Sequence, residues 1–196
     1  MRSFGMIWLY PLLPALTLFV ALIFPNLCAS QSCEELKLAS ANDAVNALDH
    51  GEIKTAFCSR AAFQLIENLP REEAVPILIK YLGFKRPISN EPHGLRSQYP
   101  AVDALWKLGP ATEPALIDFI ARQEDEKGLQ HANALEALGL IRQGDVVPTI
   151  KLMRERSASL AGTPTAKRLN AAAQYLWRNH CSARLQLCEK ELRESD

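Results

Sequence analysis

The sequence predicts an all-α fold, a right-handed α-solenoid of about four helical hairpins, from three observations. Between residues 34 and 196 no stretch alternates apolar and polar residues for long, and the β-branched runs that a sheet needs are missing. Ala and Leu recur instead at helical spacing. The phrase "ALWKLG" at 104–109 returns as "ALEALG" at 134–139, and a proline-led phrase interleaves with it. Helix pairs repeating at roughly 30 to 40 residues mark a solenoid, in which no unit buries its apolar face without a neighbour.

Residues 1–30 stand apart from that pattern. They carry Arg2, an uncharged apolar run from Met6 to Pro25, and the small residues of "CAS", which is the layout of a secretory signal peptide cleaved after Ser30. The run is also long enough for a transmembrane helix, so a retained anchor is the competing reading. Pro11, Pro14 and Pro25, with no flanking basic cluster, favour cleavage. Residues 31–196 then form one domain. The whole chain has 22 basic and 22 acidic residues, and Arg2 is the only charge lost with the signal. That balance gives no electrostatic reason to bind nucleic acid or an anionic membrane, and the signal peptide implies a secreted or periplasmic mature chain without membrane contact once it is removed.

The repeats follow in order. The first, about 34–69, is divergent and holds a weak copy of the phrase in Ala61, Ala62 and Leu65, with His50 before Gly51 at a helix end. The second, 70–109, has Pro76, Leu78 and Tyr81 in "VPILIKYL", then Ala104, Leu105 and Leu108, stopped by Gly109-Pro110. The third, 110–142, has Pro114, Leu116 and Phe119, then Ala134, Leu135 and Leu138, with Gly139 as the stop signal. The fourth, 143–178, has Pro148, Ile150 and Met153, then Ala172, Ala173 and Leu176. Proline is tolerated in the first turn of a helix, so each is expected to mark a helix start. Residues 179–196 form a C-terminal cap.

With these phrases in register, the chain resembles a HEAT-repeat protein of the short bacterial HEAT-like type over roughly 70–178. "AVDALWKLGPATEPALIDFI" is similar to that type's alternation of an Ala-Leu helix with a proline-led helix. It departs from the type in lacking an Asp-Val-Arg lead-in to the second helix. The resemblance implies an armadillo-like helical scaffold that holds another protein or a peptide. Some HEAT-like relatives are lyases or their accessories, so a subunit or accessory of an enzyme is the alternative.

Motifs that carry chemistry are scarce. The mature chain has no G-x-S-x-G, P-loop, H-E-x-x-H or C-x-x-C, and no two of His50, His93, His131 and His180 share an i, i+4 face. No catalytic residue, metal or cofactor is expected. The acidic "QEDEKG" reads as a solvated turn. Four cysteines remain after cleavage and allow three pairings; separation in sequence favours Cys33 with Cys58 and Cys181 with Cys188. Cys181 and Cys188 would stand about 10 Å apart on an unbroken helix, so that pair needs a break between them.

The expected binding surface is the inner face of the solenoid, lined by the second helices. Trp106 lies off its helix's apolar stripe, with Glu136 and Gln174 at equivalent positions and Lys107 and Tyr175 one place later. Asp103, Trp106, Lys107, Asn133, Glu136, Gln174 and Tyr175 then form one strip, mixed in charge with two aromatic anchors, suited to a protein or peptide. The long loop 84–99 is the second candidate surface.

Overall fold

The computed structural model describes residues 33, 36–87, 98–122, 128–143 and 145–181, and there the regular structure is entirely helical. Eight α-helices are described: α1 (Ala41–Asp49), α2 (Ala56–Glu67), α3 (Arg71–Lys80), α4 (Pro100–Leu108), α5 (Glu113–Arg122), α6 (Leu129–Ile141), α7 (Val147–Ser159) and α8 (Pro164–Leu176). A 3₁₀ turn, Pro110–Thr112, joins α4 to α5, and a π-helical turn, Trp177–Cys181, continues α8.

Local chemistry sets several of the ends. Ser40 caps α1 with a reciprocal box: its hydroxyl accepts from the Asp43 N–H at 3.2 Å, and the Asp43 carboxylate accepts from the Ser40 N–H at 2.9 Å. The Ser40 hydroxyl also donates to that carboxylate at 2.8 Å, and this bond, ahead of those from the Ser40 and Ala39 N–H groups, holds the Asp43 carboxyl below its usual range. Thr55 and Thr163 cap α2 and α8 by accepting from Cys58 and Ala166, each at 3.1 Å. His50 closes α1, its Nδ1 2.8 Å from the Asn46 carbonyl oxygen. Gly109 ends α4 at φ 75°, a conformation that favours glycine.

Pro76 departs from the expected role. Pro114 and Pro148 are the second residues of their helices, but Pro76 lies inside α3, which begins at Arg71 behind Pro70 with Glu72 and Glu73 in its first turn. The three prolines are alike in something else: all are exposed, and Leu78, Leu116 and Ile150, two residues on, are wholly buried. The motif marks a register of burial. Because Pro76 faces solvent, the Glu72 carbonyl that it cannot satisfy lies on the wetted side.

The Ala-Leu phrase forms the other half of the core. Ala104, Leu105, Ala134, Leu138, Ala172 and Leu176 are each at most 1 % exposed. In the first unit the register sits one residue later than expected: Ala62, Phe63 and Ile66 are buried, whereas Ala61 and Leu65 are only half-buried. Larger side chains at 63 and 66 fill the space there. α2 packs on α4, α4 on α6, and α6 on α8, so the phrases meet along one layer. The partner helices α1, α3, α5 and α7 pack on α2, α4, α6 and α8 respectively, and α3 also touches α5. α8 packs additionally on α5.

Polar side chains of the second helices reach the carboxyl ends of earlier first helices. Gln130 of α6 donates to the Lys80 carbonyl at 3.3 Å, and Asn133 donates to the Leu82 carbonyl at 2.6 Å. Arg168 of α8 donates to the Ala121 carbonyl at 3.0 Å. Lys80 and Ala121 lie in the last turns of α3 and α5 and Leu82 just beyond α3; the Asn133 bond is the buried one of the three, and it satisfies a carbonyl that is costly to bury unpaired.

Gly139 does not stop a helix. α6 runs past it to Ile141, and the imidazole of His180 lies against it so closely that a β-carbon at 139 would collide with the ring. Glycine here makes room for the π-helical turn rather than ending α6.

Cys33 and Cys58 form a disulfide with their α-carbons 5.4 Å apart. The bridge ties the first described residue to α2, and Leu36 and Leu38 pack against the core between them. A disulfide is compatible with an oxidising, extracytoplasmic setting. Cys181 is buried at the end of the π-helical turn, while Cys188 lies outside the described residues, as do residues 1–30, His93 and the acidic stretch 123–127. Among the described residues no helix is long and apolar enough to cross a membrane.

Candidate interaction face

α4 and α8 bury their Ala-Leu stripes and turn the residues between them outward, whereas α6 is buried on most sides, with Ala137, the counterpart of Lys107 and Tyr175, wholly covered. Lys107, Gln174 and Tyr175 are exposed, and Asp103, Trp106 and Glu136 are half-buried. Burial of part of the ring, with the nearby negative charge of Glu136, pushes the Tyr175 hydroxyl above its usual pKa, so α6 and α8 bring these two side chains into electrostatic range. Tyr175 remains 38 % exposed.

Asn133 does not join this face. It is buried, and its amide is committed to the Leu82 carbonyl. Its polar character meets a helix end rather than solvent. Of the expected strip, Lys107, Gln174 and Tyr175 are then open to solvent, with Asp103, Trp106 and Glu136 half-covered.

The face continues onto α2. Lys107 Nζ lies 3.0 Å from both carboxylate oxygens of Glu67, linking α4 to α2 at a cleft of about 210 Å³. α2 presents Arg60, Gln64 and Glu67 to this cleft at helical spacing, and α4 presents Asp103 and Lys107. Phe63 lies beneath, 2 % exposed, and stacks on Phe84 with ring centroids 5.6 Å apart. That contact fixes the chain as it leaves α3. Two residues on, the Arg86 N–H donates to the Gln98 carbonyl at 2.8 Å, closing the neck of the long loop and setting Arg86 at the cleft. Thus the helix strip and the loop neck, two separate surfaces in the sequence, share one cleft. The opposed charges of Glu67 and Lys107 are its only sequence signal, and they lie 40 residues apart.

Among the described residues no three His, Cys, Asp or Glu side chains gather as a metal site would require. Comparison with protein-family models, curated proteins and solved structures found no match.

Proposed function

We propose that this chain is an exported, non-catalytic repeat protein of HEAT-like, solenoidal build that holds a protein or peptide along its second helices. The observation that carries the reading is the register of α4, α6 and α8. The same phrase is buried in each, and Trp106, Lys107, Glu136, Gln174 and Tyr175 stand at corresponding places beside it. Stacked helix pairs produce extended surfaces of this kind by construction. Half-buried Trp106 and exposed Tyr175 are amphipathic anchors that a partner covers with little loss of side-chain freedom. The charges around them have both signs, which suits a polypeptide better than a polyanion.

The test is affinity capture from the exported fraction with purified protein, in parallel with Tyr175→Ala, Trp106→Ala and Leu152→Ala. Leu152 is an exposed apolar residue of α7, outside the strip. A partner retained by the native chain and by Leu152→Ala, but lost with either aromatic truncation at unchanged Tm, supports the reading. Equal retention by all four proteins refutes it.

A further inference from the structure

We infer that the Cys33–Cys58 disulfide is a site of thiol exchange, at which an incoming thiolate attacks the Cys33 sulfur and Cys58 departs as the leaving group. This goes beyond the scaffold reading and does not depend on it. The two sulfurs differ in access. Cys33 is half-buried, whereas Cys58 is 1 % exposed and belongs to the core. In thiol–disulfide exchange the thiolate approaches one sulfur from the side opposite the other, so access decides which is struck. Cys33 can be reached from solvent; approach to Cys58 has to pass the side chains that cover it.

The surroundings also favour Cys58 as the sulfur that leaves. Cys58 stands in the first turn of α2, and Thr55, the N-cap, donates its hydroxyl hydrogen to Cys58 Sγ at 3.0 Å, against 3.9 Å to Cys33 Sγ. The same oxygen accepts from the Cys58 N–H at 3.1 Å, which fixes the hydroxyl in place. Negative charge developing on Cys58 Sγ therefore meets a proton already aimed at it and the positive end of the α2 dipole. Burial among apolar side chains opposes a thiolate, and these two polar features offset it. The step balances without an outside oxidant: the incoming sulfur bonds to Cys33 Sγ, the Cys33–Cys58 bond breaks, and its electron pair stays on Cys58. A monothiol is expelled again when Cys58 attacks back. A dithiol frees Cys33 with its second thiol, is itself oxidised to a disulfide, and leaves both cysteines reduced. The segment leading into α1 then loses its covalent tie to α2 and keeps the apolar contacts of Leu36 and Leu38.

The full mature chain, oxidised and folded, is mixed with reduced glutathione or with a thioredoxin-type dithiol protein whose second cysteine is replaced by serine. The mixture is quenched with acid, alkylated and mapped by peptide mass. The adduct is expected on Cys33 and the alkyl group on Cys58, by about tenfold or more over the reverse. The probe that reacts faster per thiol identifies the source of the thiolate. In denaturant, where both sulfurs are open, the preference should disappear. Thr55→Val, which keeps the shape but lacks the hydroxyl, should slow exchange about fivefold, the worth of one hydrogen bond, and Thr55→Ser should restore the native rate. Loss of the cap by itself loosens α2 and speeds exchange, so slowing is not the signature of a damaged fold.

An adduct shared equally between the two cysteines or found mainly on Cys58 overturns the assignment. So does the absence of any adduct on the folded chain at millimolar thiol, or a Thr55→Val rate equal to or above the native one.

Discussion

The imidazole of His180 occupies the space that a side chain at position 139 would need, so the π-helical turn and α6 fit together only through Gly139. Replacing Gly139 with Ala inserts a methyl group beneath a ring held by its own backbone. The expected cost is about 1–3 kcal/mol, although alanine is the better helix former. His180→Ala in the same chain should recover most of it. Urea unfolding of the two single variants and the double variant measures the coupling, and strictly additive losses would show that the contact is not responsible.

Glu113 is only 3 % exposed, and its carboxylate meets the guanidinium of Arg142, with a second contact from Nη2 at 3.0 Å. Arg142→Ala leaves a buried carboxylate without its counter-charge and should destabilise by about 3 kcal/mol. Glu113→Gln with Arg142→Ala should cost less than Arg142→Ala alone. Thermal melts decide this, and a double variant weaker than the single one would count against the pair.

Asp49, Lys80 and Tyr81 link α1 to the end of α3. Lys80 Nζ stands 2.6 Å from Asp49 Oδ1, and the Tyr81 hydroxyl donates to the same oxygen at 2.7 Å. The hydrogen bond from Lys80, then that from Tyr81, holds the Asp49 carboxyl below its usual pKa, and the bond to Asp49 holds Lys80 above its own. The Asp49 contribution is therefore present above about pH 3.9 and is lost as pH falls through its lowered value; that of Lys80 is present below about pH 10.4 and is lost as pH rises through its raised value. Asp49→Asn should reduce stability near neutrality and flatten both limbs of the stability–pH curve. A curve parallel to that of the native chain would rule this linkage out.

Cys33 and Cys58 are 25 residues apart in sequence. Closing a loop of that size should contribute about 3 kcal/mol through the unfolded chain. The double variant Cys33→Ser/Cys58→Ser should lose that much while α3 to α8 stay folded, read as amide exchange concentrated in α1 and α2. Non-reducing peptide mapping checks the bridge, and a fragment joining Cys33 to any other cysteine contradicts it.

What was legible in the sequence is what repeats locally. Leu78, Leu116 and Ile150 could be assigned to the core from their distance to a proline, and the Ala-Leu phrase from its helical spacing, because burial on one helix face depends on a few neighbouring residues. What was hidden depends on residues far along the chain. Gly139 reads as a helix stop because glycine commonly ends helices, yet its reason is a histidine 41 positions later. Asn133 reads as part of the surface strip because it is a polar residue off the Ala-Leu stripe, yet its acceptor is 51 residues earlier. The cleft was invisible for the same cause: Arg60, Arg86 and Lys107 belong to three elements that only packing brings together.

The bonds from Gln130, Asn133 and Arg168 also impose a direction in time. The carboxyl end of α3 is completed by donors 50 and 51 residues downstream, and that of α5 by one 47 residues downstream. A chain emerging from the ribosome amino end first presents each of these helix ends before its donor has been made. A nascent chain that has got no further than α3 or α5 therefore ends in a helix whose carboxyl end waits for a donor from the following pair.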